Sequence, residues 1–180
     1  MTVEEFDAFV LLPEDVDREF EFIGGKIYEV VSNPLSSNTG ARISGFLFVY
    51  LSQNDISHLT GADGGYMVSG ERYIPDAAFI SYVKQPELSS TDGYNPNPPD
   101  LAVEVLSPSN DDEKMRIKIA NYLAAGTRVW VFDPEEQGVE VYIPGQPVKI
   151  LGLNDVLDGG DVLPGFKLPV KNVFPPKREE

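Results

Sequence analysis

Two short apolar segments of this chain each carry one carboxylate. Asp76 follows Pro75 in Tyr73-Ile-Pro-Asp-Ala-Ala-Phe-Ile80, and Glu104 stands inside Leu101-Ala-Val-Glu-Val-Leu106. An acid among apolar strand residues is costly to bury unless something cationic meets it. Lys118 lies on the segment that follows. Two acids and a lysine are the parts of a metal-dependent phosphodiesterase site. That reaction needs a water activated near neutral pH and stabilisation of charge on the phosphate oxygens. Mg²⁺ supplies both when carboxylates, waters and substrate oxygens hold it. If the two strands pair, Asp76 and Glu104 can point to one sheet edge and share an ion. Each could equally face solvent at a strand end.

On a helical wheel over 111–125, Met115, Ile119, Tyr122 and Leu123 define the apolar face, and Lys118 and Arg116 flank it on opposite sides. Periodicity does not choose between them. Lys118 could orient and help deprotonate a water, or stabilise phosphate charge. It could also be a solvated lysine whose stem lies along the core. Glu21, between Phe20 and Phe22, faces away from those rings and is either a third acid of the site or a surface glutamate. Asp100 lies four strand positions before Glu104, about 13 Å, too far to share an ion.

Other chemistries have less support. His58 is the one histidine and falls in a polar stretch read as a loop, so a catalytic triad or histidine metal site would rest on it alone. No Walker or dinucleotide-binding glycine pattern is present. Asp158-Gly-Gly-Asp161 lacks the alternating acids of a calcium loop and reads as a turn, and Trp130 reads as core.

The elements that must position these residues follow from pattern and punctuation. Thr2-Val-Glu-Glu5 has the form of a capping box, so a short helix runs to about Val10. Phe20 to Val31 reads as a hairpin turning at Gly24-Gly25. Asn33-Pro34 and the serines after it read as a loop, and Ile43, Phe46, Leu47, Tyr50 and Leu51 give an amphipathic helix over 38–53. Tyr66–Val68 is a short strand, 73–80 a strand that Pro75 places at an edge or irregular entry, and 101–106 a buried strand. Asn110 is positioned to cap the helix 111–125, which Gly126 ends. Segments 128–133 and 139–143 form a last hairpin. The order describes a mixed α/β sheet with helices packed on it, in one domain spanning 1–180, with 171–180 as a loose tail.

With 180 residues the chain can bury one core. It has no cysteine, which excludes disulfides and thiolate zinc sites and suits a reducing compartment. The N-terminus has no signal-peptide pattern and no stretch is long enough for a membrane span, so a cytoplasmic location is expected. A net charge of −15, from 14 basic and 29 acidic residues, argues against broad electrostatic affinity for nucleic acid and leaves local cations to do that work.

Several segments together resemble the Uma-type endonucleases, a bacterial family frequent in cyanobacteria and assigned to the PD-(D/E)xK restriction-endonuclease-like superfamily. They are Phe20-Glu-Phe-Ile-Gly-Gly25, Asn33-Pro-Leu-Ser-Ser37, Gly61-Ala-Asp-Gly-Gly-Tyr66, Ile74-Pro-Asp-Ala-Ala-Phe-Ile-Ser81, Pro99-Asp-Leu-Ala-Val-Glu-Val-Leu-Ser-Pro-Ser109, Asn121-Tyr-Leu-Ala-Ala-Gly-Thr127, Val129-Trp-Val-Phe-Asp-Pro134 and Leu157 to Phe166. The resemblance implies a restriction-endonuclease-like core with an N-terminal β-hairpin and flanking helices. It implies Asp76 as the acid of the Pro-Asp motif and Glu104 as the acid of the second motif, both as metal ligands. Leu106 occupies the position where the superfamily lysine is expected, and the matching lysine is Lys118 on the next helix, in preference to Arg116. Glu21 matches an additional acid, and Ser37-Asn38 stand where many relatives carry a histidine. The expected activity is Mg²⁺-dependent hydrolysis of DNA by a homodimer, with Mn²⁺ able to substitute. The alternative is a catalytically inactive nuclease-fold dimer that binds a protein partner.

Overall fold

The computed structural model describes residues 1–15, 17–90, 93–107 and 112–175. Helix α1 (Val3–Phe9) begins at the expected capping box, Thr2 and Glu5 each accepting from the other's backbone N–H. Strands β1 (Phe20–Ile23) and β2 (Lys26–Glu29) form the expected hairpin. Its turn places Gly24 and Gly25 at φ 58° and 78°, the left-handed pair that a tight hairpin of this twist requires.

Helix α2 (Pro34–Leu51) starts four residues before the expected position. The stretch read as a loop is its first turn: the Asn33 side chain accepts from the N–H groups of Leu35 and Ser36, and Pro34 sits where its missing N–H costs nothing. Strand β3 (Ser57–Thr60) contains His58, which corrects its placement in a loop. Its ring packs edge-on against Tyr82, and Nε2 lies 3.1 Å from the carbonyl oxygens of both Gln85 and Pro86.

Strand β4 (Tyr66–Val68) is followed by β5 (Glu71–Tyr73) and β6 (Ala77–Ser81). The expected single strand 73–80 is therefore two strands in two different sheets, broken at Ile74-Pro75-Asp76. Pro75 cannot donate to a ladder, so the chain leaves the small sheet there and enters the large one. The remaining elements are β7 (Leu101–Val105), α3 (Asp112–Ala124), β8 (Arg128–Asp133), β9 (Gly138–Tyr142), β10 (Lys149–Leu151), β11 (Val156–Asp158) and β12 (Lys167–Pro169). Asn110 and Asp111, expected to cap α3, lie outside the described residues.

The large sheet runs β10-β9-β8-β7-β6-β3, with β7 and β8 parallel and joined through α3. The small sheet runs β2-β1-β5-β4. Side-chain alternation divides the large sheet's two faces. Ala77, Phe79, Leu101, Val103, Val105, Trp130 and Phe132 pack with Ile43 and Leu47 of α2. Ala78, Ala102, Val129 and Val131 pack with Tyr122 of α3 and with Ile23, Tyr66, Val68 and Tyr73 from the small sheet. Glu104, two residues after Ala102, faces the α3 side.

The C-terminal region adds three strands to those expected. Strand β10 extends the 128–142 hairpin, and β11 pairs with β12. Val173 and Phe174 are buried, Phe174 against Phe132, so the tail is packed rather than loose at its start. Residues 176–180 lie outside the described part.

Candidate active site

The site sits where the two sheets and α3 meet, and each side chain arrives for a local reason. Asp76 ends the linker between the sheets, and its Oδ2 accepts the backbone N–H of Val105 at 2.7 Å. That bond fixes the Asp76 carboxylate beside the Glu104–Val105 peptide. Glu104 enters from β7, a strand buried along its whole length, and is 4 % exposed. Glu21 comes from β1, where its Oε1 accepts from the backbone N–H of Ile74 at 2.8 Å. Lys118 comes from α3 and closes the set: its Nζ donates to Glu21 Oε1 and to Glu104 Oε2, both at 2.8 Å.

The structure thus brings Asp76, Glu104, Glu21 and Lys118 into one place, and leaves Arg116 exposed. Lys118 is 5 % exposed and Glu21 9 %, so the solvated readings of both side chains are corrected. Asp100 is elsewhere, accepting from the N–H of Ser81 and paired with Lys84. The pattern left two participants unassigned. The Tyr122 hydroxyl donates to Glu104 Oε1 at 3.0 Å, and Tyr73 presents its ring to Lys118 with Nζ 5.5 Å from the centroid. Tyr122 follows Lys118 by four residues, which places both on one face of α3. That spacing was the available signal, and it was absorbed into the apolar face. Asn121 ties Tyr73 in place, donating to its hydroxyl at 2.7 Å and to Glu71 at 3.2 Å.

Three carboxylates face one ammonium in a buried setting, and the electrostatics follow from that imbalance. Burial pushes Glu104 up to about 7, with the charges of Glu21 and Asp76 adding to the effect against the pull of Lys118. Burial also raises Asp76, even though the Val105 N–H and Lys118 favour its charged form. Burial alone would depress Lys118; the charges of Glu104 and Glu21 outweigh it and hold the ammonium above its usual range. Lys118 is therefore a permanent cation and a hydrogen-bond donor. The Tyr122 hydroxyl is raised well above a normal tyrosine by burial and by the neighbouring Glu104.

Asp76, Glu104, Glu21 and Lys118 line a cleft of about 450 Å³, with Tyr122 buried behind Glu104. Its walls are the start of α2, through Ser36, Ser37 and Gly40, the hairpin through Tyr28, and α3 through Lys114. Helix α2 passes close to Asp76 at Gly40: a Cβ there would lie 3.7 Å from Asp76 Cβ and 3.9 Å from its Oδ1. Among the described residues, no group of three or more histidines or acids is arranged to hold a metal ion. The oxygens that could hold a cation are those of the pair Asp76 and Glu104. Mg²⁺ is commonly held by one or two carboxylates completed by water and substrate phosphate, so an all-oxygen pair with excess negative charge suits it.

Against known proteins, a family model described as "Uma2: Putative restriction endonuclease" matches residues 3–171. A crystal structure described as "a putative nuclease belonging to DUF820", from Anabaena variabilis, superposes with a TM-score of 0.83 at 22 % identity, covering 97 % of each chain. That similarity bears out the restriction-endonuclease-like fold expected from sequence. Among curated proteins, none matches the chain.

Proposed function

Because the chain belongs to the Uma2 family of restriction-endonuclease-like proteins, we propose that it is a Mg²⁺-dependent endonuclease hydrolysing DNA phosphodiester bonds. The observation that carries this reading is the placement of the Asp76 carboxylate against the Glu104–Val105 peptide, on the floor of a cleft and beside a permanently charged lysine. Asp76 and Glu104 would hold the ion. When bound, Mg²⁺ supplies charge stabilisation at the phosphate and activation of water, and Mn²⁺ can replace it. Lys118 donates hydrogen bonds to the phosphate oxygens or the entering water and does not itself take a proton, because it stays an ammonium. Glu21 fixes Lys118 from the opposite side. Tyr122 holds the Glu104 carboxylate in orientation.

Calorimetric titration of Mn²⁺ into the wild type and into the Asp76→Asn/Glu104→Gln double variant tests the metal site without a guess about substrate. A stoichiometric site in the wild type alone is expected, and cleavage of DNA should then vanish in Asp76→Ala with the fold retained. Equal weak binding by both proteins would overturn this reading in favour of an inactive nuclease-fold module that binds a protein partner, a reading the net charge of −15 favours. The proposal extends to a homodimer, which light scattering tests, and to the reducing cytoplasm that a cysteine-free chain suits. Among the described residues, no helix is long and apolar enough to cross a membrane.

A further inference from the structure

The cleft has a second cation whose role the acids do not explain. Lys114 and Lys118 are the two basic residues among the described lining, and they stand differently. Lys118 is already paired with Glu21 and Glu104 and keeps one N–H for a phosphate. Lys114 is paired with no carboxylate among the described residues; its Nζ lies 3.9 Å from the centroid of the Tyr28 ring. An ammonium over a tyrosine face is held in place while its charge stays available to an anion.

The location of this pair is fixed by two registers. Tyr28 is the direct antiparallel partner of Glu21, so their side chains share one face of the hairpin. Lys114, Lys118 and Tyr122 recur at intervals of four on α3, one above the other. The cleft thus has two levels of charge above the buried Tyr122: Lys118 with Glu104 and Glu21, then Lys114 with Tyr28. Four residues of helix separate Lys114 from Lys118 by about 6 Å, a step that suits neighbouring phosphates on one strand. Glu29, also on the lining, is neutralised by Arg18, whose Nε and Nη2 lie 3.0 and 2.9 Å from its two oxygens. The anionic competitor nearest in sequence to Tyr28 is therefore already satisfied.

Building on the nuclease reading above, we propose that Lys114, held by Tyr28, receives the phosphate that flanks the scissile one. The site then takes a polynucleotide strand in preference to an isolated phosphate ester. Lys114 is the contact and Tyr28 the residue that positions it.

The test is binding of a fluorescein-labelled single-stranded DNA of about 12 nucleotides, followed by anisotropy across a salt series. Ca²⁺ replaces Mg²⁺, and the strand is checked for integrity afterwards. Lys114→Gln is expected to weaken binding about tenfold and to reduce the salt slope by about 0.7, the value of one single-strand phosphate contact. Replacing one flanking linkage with an uncharged methylphosphonate should weaken the wild type similarly and leave Lys114→Gln unaffected. Tyr28→Phe should keep the wild-type salt slope, because a phenyl ring still holds the ammonium, whereas Tyr28→Leu should lower it. Wild-type affinity and slope in Lys114→Gln, or no strand binding by the wild type, overturns the proposal. A strand that binds in the expected way but is never cut with Mg²⁺ or Mn²⁺ retains this contact and removes the nuclease reading. A strand cut by the wild type and bound equally well by Lys114→Gln does the reverse.

Discussion

The backbone N–H of Val105 donates to the carboxylate of Asp76 at 2.7 Å, across 29 residues of sequence. Asp76 belongs to the linker between the two sheets, and Val105 follows Glu104 in the centre of the larger one. This single bond sets one acid against the other. It also partly offsets the burial of Asp76, whose charged form would otherwise be more costly still.

The first expectation concerns Lys118. Replacing it with Met leaves Glu21 and Glu104 buried without their shared cation, a loss of about 3–5 kcal/mol for a broken buried pair. Carboxylates stripped of that partner bind protons more readily in the folded state, so part of the loss should return as pH falls from 8 to 5. Urea unfolding at the two values measures it. A midpoint equal to the wild type at pH 8 would contradict the arrangement.

A second follows from the raised Glu104. Its folded value of about 7 lies above the ordinary 4.5, so the folded state binds more protons between those limits. Stability from this group is complete below about 4.5 and is lost as pH rises through about 7, on the order of a few kcal/mol at most. In EDTA, the difference between wild type and Glu104→Gln should therefore change across that window and level off above it. A difference that stays flat from pH 4.5 to 7 would be wrong for a buried, undercompensated acid.

The same shifts give metal binding a pH dependence. Asp76 and Glu104 must shed protons to hold a cation, so Mn²⁺ affinity should rise with pH through about 7, with proton uptake by the buffer during titration. Calorimetry in two buffers of different ionisation enthalpy reads the proton count directly. No proton release near pH 6.5 would separate these acids from the metal site.

Gly40 offers a graded steric test. An added Cβ meets Asp76 at ordinary van der Waals distance, and a glycine within a helix costs up to about 1 kcal/mol relative to alanine. Gly40→Ala should raise the unfolding temperature slightly and leave Mn²⁺ binding intact. Gly40→Leu places bulk against Asp76 Oδ1 and should weaken Mn²⁺ binding at least tenfold, roughly 1.4 kcal/mol or more. Equal metal affinity in both variants would show that this wall of the cleft does not bear on the acid.

Much of this geometry was legible in the sequence, and the reasons differ by residue. Asp76 and Glu104 announced themselves because carboxylates are rare in apolar strands. The glycine pair at 24–25 marked its turn because the backbone there needs positive φ. Lys118 and Arg116 were equivalent on a helical wheel. What separates them is the direction from which the small sheet approaches α3, a tertiary fact with no local trace. Glu21 stayed open between a third acid and a surface glutamate for the same reason: β5 and α3, which help to bury it, are distant in sequence. The division of 73–80 between two sheets hid behind an unbroken apolar pattern, with only Pro75 to mark it. The three-residue strands β10, β11 and β12 are too short for any periodicity to register.

Lys118 meets Glu21 over 97 residues of chain, and that separation orders events during folding. Contacts closing so long a loop form slowly and late. On a ribosome, the hairpin, the linker acid and β7 all emerge before the lysine that neutralises them. Until α3 is made, backbone N–H groups are the partners these carboxylates have, and the cation that offsets most of the cost of drawing them out of water is missing. A nascent chain of this protein therefore carries its acids in solvent, and the cleft comes into being only with the C-terminal half of the fold.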